Sequence, residues 1–117
     1  MATFEVRGAE LHLHLSPLEK LEAVHGDVAV PLAAVRAVRV VDTAWGEVGG
    51  IRAPGTGFPG VIAVGTRRGA FGKDFAVVHG RGPAVVVELE DAPYGRLVAT
   101  TPDAEGAAAR IRGGVPR

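Results

Sequence analysis

The sequence predicts a single, mainly β domain in which an antiparallel sheet curls toward a barrel and a C-terminal helix closes one end. Three observations point there. Val outnumbers Leu 18 to 8, and β-branched side chains favour extended backbone. The 17 Gly and 8 Pro are spread between short apolar runs, the punctuation of many short strands joined by tight turns. Finally, the opening apolar runs alternate with period two, whereas the last segment spaces its apolar residues as a helix does.

Taken in order, Thr3–Arg7 places Phe4 and Val6 on one face and Thr3, Glu5 and Arg7 on the other. Gly8-Ala9 suits a two-residue type II′ hairpin turn, because Gly leads. Leu11, Leu13 and Leu15 then share a face opposite Glu10, His12 and His14. In SPLEKLEAVHG, Ser16 can cap, Pro17 fits the first helical position and Glu19 completes a capping box. Leu18, Leu21 and Val24 fall on one stripe, so the spacing predicts a helix over 17–25 that Gly26 stops. A brief strand at 27–30 follows. Pro31 removes a ladder donor, which predicts a turn or a single helical turn over PLAAV before a strand at 36–41.

Residues 42–60 hold six Gly and two Pro, which predicts a long irregular connection, often a functional Ω-loop. Strands are expected at 61–67, 74–79 and 84–90, joined as successive antiparallel hairpins by Gly-bearing turns, with a last strand near 95–100. Thr101-Pro102-Asp103 opens the last helix, with Thr as cap and Asp complementing the dipole. Ala104, Ala108 and Ile111 form its thin apolar stripe. Such a helix must take its stability from docking, since an isolated one this short is marginal in water.

Composition bounds the function. The chain has 117 residues, one domain's worth, with 13 basic and 13 acidic side chains. A net charge of zero gives no general pull toward nucleic acid or an anionic membrane. Leu, Ile, Val and Phe make up 33 residues, above the roughly one-fifth below which chains stay disordered. The absence of Cys excludes disulfides, thiolate metal sites and cysteine nucleophiles. There is no apolar run of roughly 18 residues and no basic-then-apolar leader, so the expectation is a cytoplasmic protein with no membrane insertion.

Beyond the residue pattern, the order of elements resembles the pleckstrin-homology-like barrel: about seven antiparallel strands, then one capping helix. VAVPLAAVRAVRVVD is similar to the strand, Pro-apolar turn, strand passage of bacterial domains in that class. VVVELEDAPYGRLVATTPDAEGAAARI is similar to their ending. LSPLEKLEAVHGDV, IRAPGTGFPGVIAVGTRR and KDFAVVHGRGPAVVVEL resemble a family of small, functionally uncharacterised bacterial proteins, over about residues 3–112. These motifs specify the family and are almost silent on activity. Eukaryotic relatives of that fold often bind phosphoinositides through a basic loop between the first strands. Here the corresponding segment, 16–26, balances Lys20 and His25 against Glu19 and Glu22, so phosphoinositide binding is not supported.

The chemical motifs are few. Gly55 to Gly60 spells G-x-G-x-x-G, but the residues that follow read as strand and Pro59 interrupts it, so no dinucleotide is expected. Lys73 follows Gly72, yet Arg67 stands where a P-loop needs Gly and Asp74 where it needs Ser or Thr. Arg67, Arg68 and Lys73 flank one turn and form a candidate anion site. His12 and His14 share a strand face, but zinc needs further ligands and only Glu10 and His79 suggest themselves. Asp74 and His79, if on one strand, lie roughly 17 Å apart on opposite faces. Ser16 is the lone serine. No nucleophile, base and orienting group assemble, so neither a catalytic residue nor a cofactor is expected.

The leading expectation is therefore a non-catalytic interaction module binding a protein partner or a second copy of itself. Its candidate surface is Trp45, Ile51, Arg52 and Phe58 with Val48, aromatic and basic anchors among glycines. The alternative is a small-molecule, anion or metal-binding protein, or a weak enzyme, built on Arg52, Arg67, Arg68 and Lys73 or on His12 and His14.

Overall fold

In a computed structural model, the chain folds into two β-sheets and one C-terminal helix. The structure describes residues 2–18, 27–43, 51–58, 62–69, 72–80 and 82–116, of which 51–58, 62–69 and 72 are described as backbone alone.

The first sheet begins with a hairpin of β1 (Thr3–Arg7) and β2 (Glu10–His14), with Arg7 opposite Glu10. Gly8 takes φ +59 and Ala9 stays out of the positive region, the signature of the expected II′ turn. β3 (Val28–Pro31) lies antiparallel on the other side of β2. Leu32–Ala34 is a 3-10 turn, as Pro31 led us to expect. Pro17 and Leu18 are helical, while the remainder of the helix predicted over 17–25 lies outside the described residues. Leu18 is 64% exposed, so it does not anchor an apolar stripe on the core.

The second sheet contains β4 (Val35–Val41), β5 (Ile51–Phe58), β6 (Ile62–Gly69), β7 (Gly72–His79), β8 (Ala84–Leu89) and β9 (Arg96–Thr100). Their spatial order is β4-β8-β9-β7-β6-β5. Three expectations change here. The strands form two separate sheets, and no ladder among the described residues joins them into a closed antiparallel barrel of about seven strands. Residues 51–58, expected within an irregular loop, pair with β6 as an edge strand, with a register shift between Arg52 and Gly55. That shift spans Pro54, which lacks a ladder donor and is tolerated at such an edge irregularity. Lastly, β7 and β8 are not a hairpin: β9 inserts between them, parallel to β7 and antiparallel to β8. All five residues of β9 are buried, as befits a central strand covered on both faces.

Helix α1 (Ala104–Gly114) starts on Asp103, whose carboxylate accepts from the Gly106 N–H at 3.1 Å. Thr101, expected as the cap, instead donates its N–H to the Pro83 carbonyl, at 3.3 Å. The helix buries Ala104, Ala107, Ala108 and Ile111 and packs on β1, β4 and β8, so it bridges the two sheets. A Cβ on Gly114 would come within 2.9 Å of Val6, so glycine permits the close approach of the helix end to the first sheet. Between the sheets and α1 lies the main core, with Phe4, Leu11, Leu13, Val30, Phe75, Val85, Val87, Leu97 and Ile111 among its members. On the opposite face of the second sheet, Ala76, Val78, Ala84, Val86 and Val98 are also buried. No helix among the described residues is long and apolar enough to cross a membrane.

Candidate functional site

Three polar arrangements stand out against this frame, and the strand register accounts for each. On the outer face of the first sheet, Glu5 lies directly opposite His12. His12 and His14 stack with ring centroids 5.8 Å apart. The His14 Nε2 is 2.8 Å from the Glu5 carboxylate and its Nδ1 is 3.1 Å from Asp27, whose other oxygen accepts the Leu15 N–H at 2.8 Å. Two carboxylates on the two ring nitrogens favour an imidazolium, which donates from both. The His14 pKa is accordingly raised, first by Glu5 and then by Asp27. That of Glu5 is lowered, chiefly by its hydrogen bond with His14. Arg7 also bonds Glu5, and His12 Nε2 lies 3.3 Å from Glu10. His79 belongs to the other sheet. Among the described residues no group of three or more His, Asp or Glu is arranged to hold a metal ion.

The second arrangement crosses the seam where β9 inserts. Asp74, Arg96 and Glu88 stand side by side in register. Arg96 donates to Asp74 Oδ2 at 2.6 and 3.1 Å, with both side chains more than 90% buried. Arg39 reaches Glu88 from β4 at 3.0 Å. The Asp74 Oδ1 is buried without a hydrogen-bond partner among the described residues. In the β6–β7 ladder Arg67 pairs with Asp74 and Arg68 with Lys73, so the three cations of the candidate anion site are divided between alternate register positions. One of those positions already contains an acid. Lys73 Nζ lies 5.0 Å from the Tyr94 ring centre, and Tyr94 packs edge-on against Phe75. Asp74 and His79 sit on one strand, as the sequence spacing assumed. His79 lines an open cleft of about 90 Å³ with Thr100 and Thr101.

The third arrangement is the free edge of the second sheet. β4 pairs with β8 on one side and with no strand among the described residues on the other. Val38 and Val40 are only partly buried against the core. An open groove of about 220 Å³ runs along this edge, lined by Val35, Arg36, Ala37, Val38, Arg112 and Val115. Arg112, exposed in the last turn of α1, donates to the Val38 carbonyl at 2.8 Å. Arg7, Arg36, Arg39 and Arg96 each contact a carboxylate. Arg112 has none among the described residues.

Of the interaction surface expected in 42–60, Trp45 lies outside the described residues. Ile51, Arg52 and Phe58 are placed on β5, opposite Arg68, Arg67 and Ile62 respectively. Sequence reasoning missed Glu5 as the partner of His14, although the Gly8-Ala9 turn fixes the register that brings it there. It had no signal for Arg112 reaching Val38, because that contact joins residues 74 positions apart. Comparison of the chain with protein-family models, with curated proteins and with solved structures found no match.

Proposed function

We propose that the chain is a non-catalytic interaction module whose binding surface is the open edge of β4. The observation that carries this reading is the groove beside that edge. It combines half-buried valines, a strand edge that pairs with no other strand among the described residues, and an arginine with no carboxylate partner among them. Strand edges accept additional strands, with main-chain hydrogen bonds giving affinity and adjacent pockets giving selectivity. The non-catalytic part of the reading is supported by the commitment of the ionisable groups elsewhere. His14, Glu5 and Asp27 bond one another, and Arg96 and Asp74 do the same.

Self-association is one form of this activity, since β4 of a second copy offers the same edge. Kinship with the pleckstrin-homology-like bacterial domains is part of the same proposal, supported by the run of strands followed by a docked helix. The parallel β7–β9 pair is where the chain departs from a simple meander. Selection from a random-peptide display library, followed by amide hydrogen exchange with a selected peptide, tests the function. Protection concentrated in Val35–Val41, or the same protection appearing with rising protein concentration, is expected. Enriched peptides that protect only other regions would sink it.

A further inference from the structure

Resting on that reading, we infer that the β4 edge takes an acidic, extended peptide segment, with Arg112 as the group that recognises its carboxylate. Val38 lies in the middle of the edge strand, and its carbonyl is occupied by the Arg112 guanidinium at 2.8 Å. Such capping is one way in which an edge avoids indiscriminate pairing. A carbonyl is a weak partner for a guanidinium, which forms its stronger, bidentate bonds with carboxylates.

The charge around the groove selects the partner. Arg36 and Arg112 line it, and among the described residues no acidic side chain does. Arg36 is already held by Glu90, at 2.9 Å, and by the Ala33 carbonyl, which leaves Arg112 as the cation that can turn. An incoming Glu or Asp draws Arg112 away and frees the Val38 carbonyl to accept a peptide N–H. An apolar side chain two residues along the peptide, on the same face as the acid, then fills the groove between Val38 and Val115. The exchange is self-consistent: a bond from Arg112 to a neutral carbonyl is replaced by an ion pair with a carboxylate, and the exposed acceptor is immediately reused. A basic or neutral strand has no means of displacing the cap.

The probe is a capped peptide of about eight residues, a common strand length, with Glu and Val in turn on one face and Thr on the other. The same peptide with Lys for Glu is the control. Titrations followed by backbone amide NMR on the full chain should show the acidic peptide shifting Ala37, Val38, Arg39 and Arg112, with no saturable binding of the basic one. Arg112→Ala should weaken the acidic peptide about tenfold, the loss expected for a charge-assisted bond. Arg112→Glu should reverse the preference. Arg112 is exposed, so both variants keep the fold, which circular dichroism confirms.

Equal binding of the two peptides, or an unchanged affinity in Arg112→Ala, overturns the inference while leaving an edge-binding module in place. Binding of neither peptide, with β4 amides protected only as protein concentration rises, also overturns it and assigns the edge to a second copy. Saturable binding of the acidic peptide away from β4 overturns the inference and the functional reading together.

Discussion

The outer face of the first sheet and the β7–β9 seam of the second use the same kinds of side chain under opposite conditions. On the outer face, His14 sits between Glu5 and Asp27 with about a third of its side chain in water. At the seam, Asp74 and Arg96 keep 7% and 8% of their side chains exposed. Exposed ion pairs exchange one set of partners for water and contribute little. A buried pair has lost its hydration, so its members depend on each other. The hydrogen-bond distances are similar, but solvent decides which region tolerates a lost partner and which one responds to pH.

The largest effect should come from Asp74→Ala, which removes the carboxylate bonded to the buried Arg96 guanidinium and should cost about 3–5 kcal/mol by chemical denaturation. A loss below about 1 kcal/mol, the range of an exposed pair, would erase the contrast. Ile111→Ala sets the scale for an apolar anchor. Its side chain is wholly buried beneath α1, and its truncation should remove about 2–5 kcal/mol. Replacing the seam pair together, as Asp74→Leu with Arg96→Met, should bring stability back to within about 1 kcal/mol of the parent, because both buried charges are removed at once. If the double variant is as unstable as Asp74→Ala, the pair supplies something beyond mutual neutralisation.

The outer face should instead show itself through pH. The His14 pKa is raised above its ordinary 6.5, so the stability it lends is complete below 6.5 and is lost as pH rises through the raised value. The Glu5 pKa is lowered from 4.5, so its contribution is complete above 4.5 and fades as pH falls through the lowered value. Both are present in the window between. In melting curves across pH, His14→Gln should differ from the parent by less than about 1 kcal/mol, and the difference should shrink on the alkaline side. A proton NMR titration that put His14 at or below 6.5 would remove the clamp from the account.

Legibility from sequence followed the range of the interaction. The β1–β2 hairpin, the turn after Pro31 and the C-terminal helix were readable because Gly8, Pro31 and the 104–111 spacing act on their near neighbours. The histidine face was half readable: the alternation shows His12 and His14 on one side, and the turn register supplies Glu5. The position of β9 was not readable. ELEDAPYGRLV looks like an ordinary hairpin, and β8 and β9 do form one. Nothing local reveals that Arg96 will also lie beside Asp74, 22 residues earlier. β5 was misread because its glycines and Pro54 have loop character in isolation, and pairing with β6 overrides it. The β4 groove depends on a contact between Val38 and Arg112, which only the folded chain brings together.

The insertion of β9 also sets an order of events during synthesis. β7 and β8 emerge first and cannot complete their sheet, because the strand that lies between them is not yet made. Until Arg96–Thr100 arrives, both present open backbone beside Val-rich surface, the condition in which nascent chains pair wrongly with one another. The parallel β7–β9 ladder forms across a long intervening stretch, a slow kind of closure. A chain stalled after Leu89 therefore carries two unfilled edges, whereas eleven further residues complete the strand that seals both.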